Sequence, residues 1–389
     1  MKLVHPLRIT LAGIFSVALA AVLAAQSAGI TLTRKEPETA LMLFPSNGLA
    51  QENLAAAIFE ADLVVSREAE GAAQTAKPSA FASYLSEPLT PEVHAILALT
   101  QGRREVRSEV ISRASELDKR ETMLQGLVLQ EYVNDGNYTG VITTLDRILR
   151  VRPSRSTELF PVLSTVFVQD GATEQFAGVL NGTSPWHEEF LSYAVRQDAA
   201  LANLARLRRL ITFGNVEIDK ALLRNLVREG KVETGYGLYD EIFVSTNESA
   251  QVGLLQWDSD FVPFDWRFAD GADFRAQRNL DSDQLQLYVR AGQGGIFARR
   301  IIKAPEGPFT VSAQHEIKPQ ELADDVRLFL RCTDDPQPFF EARFGAARFQ
   351  QLVNDIPSEC SFIEVQLHAR AWSGKSALRG LISPLRITQ

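Results

Sequence analysis

The sequence of 389 residues predicts a multidomain protein, α then β: an N-terminal membrane helix, an α-solenoid of helical hairpins, and a C-terminal antiparallel β-sandwich or jelly roll. Three observations carry that expectation. An uncharged run from Ile9 to Thr33 opens the chain, apolar residues recur at helical spacing from Pro45 to about Val244, and beyond Val244 the period falls to two. The expected division is a membrane segment over 1–35, helices over 36–244 and the β-domain over 245–389, in keeping with about 100 to 200 residues per domain.

The first segment pairs a basic start, Lys2 and Arg8, with the apolar heart "ITLAGIFSVALAAVLAA". Two readings fit it: a cleaved secretory signal, with Val22 and Ala24 before the cut, or an uncleaved anchor, since about 20 mainly apolar residues suffice to span a bilayer. The anchor is favoured. The positive-inside rule then keeps the N-terminus cytoplasmic, against a weaker opposing bias from Arg34 and Lys35, and the expected location is the cell inner membrane, single-pass, with the bulk of the chain periplasmic.

A hydrophobic content of 45% with 23% charged residues permits sizeable cores and excludes general disorder. The net charge of -8 argues against a nucleic-acid partner. Arg206, Arg208 and Arg209 form a basic cluster that reads as the solvated face of a helix. Both cysteines, Cys332 and Cys360, lie in the β-region; they either form a disulfide in an oxidising compartment or remain two buried thiols, and neither has zinc-site or redox spacing.

The helical segments carry their own punctuation. Pro91 follows Thr90 as a first-turn proline, Pro185 opens "SPWHEEF" in the same way, and Gly102, Gly136 and Gly230 stand where helices should stop. Residues 66–80, "SREAEGAAQTAKPSA", read as a loop. In "LVLQEYVNDGNYTGVITTLDRILRVRP" a helix bearing Tyr132 ends at "DGNY", and a second helix bearing Leu145 and Ile148 is stopped by Pro153. This resembles a tetratricopeptide repeat, and "LLRNLVREGKVETGYGLYDEIF" echoes it with Gly230, Gly235 and Tyr239. The resemblance implies a helical array that binds a partner protein through a concave surface.

Strands are expected where residues alternate. Leu285, Leu287 and Val289 share one face, as do Val326, Leu328, Leu330 and Cys332. In "FIEVQLHAR", Ile363, Val365, Leu367 and Ala369 point one way and Glu364, Gln366, His368 and Arg370 the other. "GIFARRII", "PFTVSAQHEI", "FFEARF" and "LISPLRIT" supply further strands. The region resembles jelly-roll modules of the carbohydrate-binding or galactose-binding-like class, through Trp257 and Phe261, the "PFDW" turn and the closing "PLRIT". The whole chain resembles uncharacterised membrane-anchored envelope proteins of Gram-negative bacteria, which are associated with exopolysaccharide gene clusters.

After Pro263, Phe264, Trp266 and Phe268 alternate on one face and are expected to enter the sandwich core. Trp257 has no aromatic at its alternate positions and is the candidate saccharide platform. Glu364, His368 and Arg370 form a polar strand face, read either as an ordinary solvated face or as a surface for sugar hydroxyls. Asp258 and Asp260 are read either as part of a solvated turn or as candidate calcium ligands, although the EF-hand pattern is missing. No HExxH, GxSxG or dinucleotide motif occurs, so no cofactor and no catalysis are expected. The resulting expectation is an envelope scaffold that binds a protein partner and a polysaccharide. The alternative is a polysaccharide-acting enzyme with carboxylates on the sandwich face, since a pair of catalytic acids leaves no linear signature.

Overall fold

The computed structural model describes residues 4–244, 253–345 and 348–389. Lys2 and position 245, the expected start of the β-domain, lie outside the described residues. The chain divides into two compact units, Met1–Leu159 and Phe160–Gln389.

In the first unit stand α1 (Val4–Leu32), α2 (Pro37–Leu43), α3 (Gly48–Ser66), α4 (Ala69–Ser86), α5 (Pro91–Leu99), α6 (Arg104–Leu117), α7 (Thr122–Asn134) and α8 (Tyr138–Val151). Over Thr10–Leu32, α1 is long and apolar enough to cross a membrane, a composition that a secretory signal shares. Its 23 residues rise about 34 Å. Its last turns are fastened to the entry of α3. Asn47 caps α3 by accepting from the Ala50 N–H at 3.0 Å, and its amide donates to Thr33 Oγ1 at 2.8 Å and to the Gly29 carbonyl at 3.3 Å. Gly29 lies so close to the end of α2 that a Cβ there would stand 3.0 Å from Phe44 Cβ.

Residues 69–86 are helical, which corrects the loop expected over 66–80. The reason is alanine. Ala72, Ala73, Ala76 and Ala80 are fully buried against Ala55 and Phe59 of α3, so the backbones pack closely without a stripe of large side chains. Pro78 is accommodated inside α4. The hairpin of α7 and α8 turns at Gly136, whose φ of +64° suits glycine. Its helices touch at Tyr132 and Gly140, where a Cβ would come within 2.6 Å of the tyrosine ring.

From α9 (Ser156–Phe167), which straddles the boundary, the second unit continues through α10 (Ala172–Val179), α11 (Pro185–Ala194), α12 (Leu201–Leu210), α13 (Val216–Arg228) and α14 (Val232–Tyr239). Phe167, Phe176, Phe190 and Trp186 form its aromatic helical core. Arg208 is not simply a solvated residue on an exposed helix face. Its Nε donates to Asp219 Oδ1 at 2.7 Å, both side chains are nearly inaccessible, and the guanidinium also lies over Phe213. Burial raises the Asp219 pKa even against that partner. A buried pair of this kind ties α12 to α13.

Strands β1 (Leu254–Leu255), β2 (Arg267–Phe268), β3 (Phe274–Asn279), β4 (Gln284–Val289), β5 (Gly294–Lys303), β6 (Phe309–Lys318), β7 (Val326–Cys332), β8 (Pro338–Arg343), β9 (Arg348–Val353), β10 (Phe362–Arg370), β11 (Leu378–Ile382) and β12 (Leu385–Thr388) complete the unit. They form two antiparallel sheets. One has seven strands in the order β1-β12-β6-β11-β4-β3, with β9 also on β6; the other has five, β2-β5-β10-β7-β8. Their inner faces meet on the alternating residues of β4, β7 and β10, all of them buried. Trp266 enters this core and Phe268 packs at its edge. Phe264 does not: it turns to α14, with ring centroids 5.6 Å from Tyr236 and 5.4 Å from Tyr239. Beside it Tyr239 donates to Asp265 Oδ1 at 2.6 Å, and the Phe261 N–H donates to Oδ2 at 2.9 Å.

Three variants probe these contacts. Asn47→Ala is expected to cost about 1–2 kcal/mol at the α3 cap and to raise amide exchange at residues 29–33, which hydrogen–deuterium exchange would read. Asp219→Ala should destabilise by about 3–5 kcal/mol by leaving Arg208 buried and uncompensated, whereas Arg208→Met with Asp219→Leu should cost less in the same denaturant titration.

Candidate functional site

The outer face of the five-stranded sheet carries the polar residues of β10. Cross-strand register places Arg267, Arg299, Gln366, Phe329 and Glu341 in one row across all five strands. The next row sets Ile301, Glu364 and Arg331 side by side. An ordinary solvated face would leave these side chains open to water. Here Glu364 and Gln366 are buried, because long neighbours on both flanking strands cover them.

The hydrogen bonds along β10 have a fixed direction. Arg331 donates to Glu364 Oε2 through both Nε and Nη2, and Arg299 Nη1 approaches Oε1 at 3.8 Å. An ionised carboxylate can only accept, so Gln366 must present its amide nitrogen to Oε2, at 2.9 Å. That leaves Gln366 Oε1 facing His368 Nε2 at 3.0 Å, and the histidine must carry its proton there. Nδ1 is then an acceptor in the neutral ring. Burial depresses the His368 pKa, with smaller opposing effects from the carboxylates of Glu341 and Glu364 and a reinforcing one from Arg327. Its ring lies 4.4 Å from that of Phe329.

Two hollows lie along this strand. A cleft of about 660 Å³ is walled by Arg224, Val227 and Arg228 of α13 on one side and floored by Arg267, Arg299, Arg331 and Glu364 on the other. A second hollow of about 540 Å³ holds Phe329, Arg327, His368, Arg370 and Trp372, with the backbone of Gly292–Gly295 at its rim. Gln366 stands between them. Beyond the strand Trp372 keeps the same outward parity, is 44% exposed, takes the Arg370 guanidinium at 4.0 Å from its ring centroid, and donates through Nε1 to Asp325 at 3.1 Å. Over the strand itself, from Glu364 to Arg370, the rise is about 20 Å.

Of the residues singled out in the sequence, Glu364, His368 and Arg370 therefore share one track. Trp257 does not belong to it, which corrects its assignment as a saccharide platform. It is fully buried, packs 4.7 Å from Trp266, and satisfies its Nε1–H with the Ile382 carbonyl at 3.1 Å, so no ring face is open to a ligand. Trp372 supplies the exposed indole instead. Asp258 receives Arg278 Nη1 at 2.6 Å and is held by a cation already. Asp260 is exposed, and no group of three or more His, Cys, Asp or Glu side chains converges as a metal site among the described residues. Cys332 and Cys360 are joined in a disulfide. It fastens the end of β7 to the segment entering β10, whose neighbours Thr333 and Ser361 line the first cleft.

No protein-family model matches the chain, and no curated protein does. Similar solved structures include a carbohydrate-binding module, CBM61, in complex with β-1,4-galactotriose, at 13% identity and a TM-score of 0.23, covering 32% of this chain and 88% of the module. They also include a structure of accessory secretory proteins 1, 2 and 3 from Streptococcus pneumoniae, at 11% identity and a TM-score of 0.25, covering 36% of this chain and 99% of that one.

The depressed His368 pKa has a definite sign for stability. A histidine harder to protonate when folded contributes stability above its unfolded pKa of about 6.5, and that contribution is lost as pH falls through this value toward the folded one. Thermal melting between pH 7.5 and pH 5 should accordingly fall more steeply in the wild type than in His368→Gln.

Proposed function

We propose that this protein is a non-catalytic, membrane-anchored envelope scaffold whose sandwich binds saccharide along the outer face of the five-stranded sheet. The observation that carries the reading is the continuous track from Glu364 to Trp372: two hollows, fixed donors and acceptors, and an exposed indole at one end. Sugars present hydroxyls at their edges and C–H groups on their faces, so a polar ladder beside an aromatic plate complements both. The helical hairpins serve a partner protein, and exopolysaccharide assembly or export is the setting.

Retention of α1 as an anchor is supported by the Asn47 clamp on Gly29 and Thr33, since cleavage after Ala24 would leave the clamp on a short stub. The disulfide supports an oxidising compartment, which fits an inner-membrane anchor with the bulk of the chain periplasmic.

The test is a glycan array probed with the detergent-solubilised full chain. The wild type should retain a saccharide that Trp372→Ala binds about tenfold more weakly, the usual scale for losing an aromatic anchor, without shortening the polymer. Retention of no glycan by a folded, disulfide-intact wild type would sink the saccharide reading, and shortening of the polymer would sink the non-catalytic one.

A further inference from the structure

The floor of the first cleft contains a charge arrangement that the protein does not itself complete. Arg267 of β2 and Arg299 of β5 are register partners on the outer face. Directly opposed residues have Cβ atoms about 5 Å apart, and like charges so placed repel. Elsewhere on the same sheet a counter-charge is built in: the opposed pair Arg327 and Arg343 has Glu341 bonded to Arg327 at 2.7 Å. For Arg267 and Arg299 the nearest ion-pair contact is Glu364 Oε1, 3.8 Å from Arg299, and Glu364 is already the acceptor for Arg331 and Gln366. Arg267 makes no ion pair among the described residues.

The opposite wall adds to the excess. Arg224 and Arg228 stand four residues apart on α13, so both fall on the face that lines the cleft. Arg228 is neutralised by Asp198 at 2.9 Å and Glu229 at 3.1 Å, whereas Arg224 makes no ion pair among the described residues. The acidic residues that also line the cleft, Glu233, Asp334 and Glu359, are exposed and unlike Glu364 do not sit on the floor.

We infer that Arg267 and Arg299, with Arg224 on the facing wall, form a subsite for an anionic oxygen group, and that the saccharide bound along β10 is an acidic polymer bearing carboxylates. Guanidinium groups suit this task because their planar fork pairs with two oxygens at once. The inference rests on the saccharide reading for the identity of the polymer, while the anion subsite stands on the arginines alone.

The experiment compares a polyuronate with the same polymer after reduction of its carboxyl groups to hydroxymethyl groups, both titrated onto the detergent-solubilised full chain. Thermal melting with inorganic pyrophosphate runs in parallel. Wild type and an Arg224→Ala/Arg267→Ala variant are measured side by side; neither residue is in an ion pair among the described residues, so the fold should survive their removal. The expected result is binding of the polyuronate at least about tenfold tighter than its reduced form, roughly 1.4 kcal/mol, with the difference erased in the variant and by high salt. Equal binding of the two polymers by the wild type overturns the acidic specificity and leaves the saccharide reading standing. Binding of neither polymer, with a pyrophosphate-induced rise in melting temperature in the wild type alone, supports the anion subsite and removes the saccharide from it. No response to either polymer or to pyrophosphate overturns the inference entirely.

Discussion

The seating of Phe264 over Gly235 is the contact on which the rest of the site depends. A Cβ at Gly235 would meet the phenylalanine ring at 3.2 Å, so the glycine lets α14 settle onto the β-domain at ring-contact distance. Tyr239 and Asp265 lock the approach with a hydrogen bond removed from water, and the neighbouring carboxylate raises the phenol's pKa further after burial has already done so. Because α14 is seated there, the α13 that precedes it stands beside the outer sheet face and becomes the second wall of a cleft. Without that wall the arginines of β2, β5 and β7 would lie on an open surface and be screened by solvent.

Strand β10 works in two directions at once. Its inward residues close the sandwich core, and its outward residues form a chain of hydrogen bonds in which each group's orientation dictates the next. A carboxylate at one end, unable to donate, sets the amide, and the amide sets the histidine tautomer. Pre-set donors and acceptors reduce the ordering that a ligand must impose on binding. The same strand therefore couples the packing of the core to the chemistry presented outside.

Much of this is legible in the sequence, and the reasons for the rest are physical. Alternation in "FIEVQLHAR" is enough to separate the core residues of β10 from Glu364, His368 and Arg370, because a strand has one simple period. Trp372 is within reach of the same rule, since it continues the even-numbered outward parity past the strand's end. Trp257 escapes it because it lies outside a regular strand, where no period says which way a side chain turns. Helix α4 hides because close packing through alanine leaves no contrast between large apolar and polar residues. The pairing of Arg267 with Arg299 depends on which strands become neighbours, and nothing local to either residue encodes that. The change of period beyond Val244 announces strands, but it is silent on which helices pack with the sheets.

The disulfide between Cys332 and Cys360 spans a sequence separation of 28 residues and joins the two segments whose flanking residues line the arginine cleft. Closing a loop of that size removes freedom from the unfolded chain worth about 3–4 kcal/mol in the entropic account. Its position also gives the site a history. With its thiols reduced, the chain lacks the tie between β7 and the entry to β10, and the cleft has its fastened geometry only when they are oxidised. The cleft's geometry is in this way tied to the redox state of its surroundings.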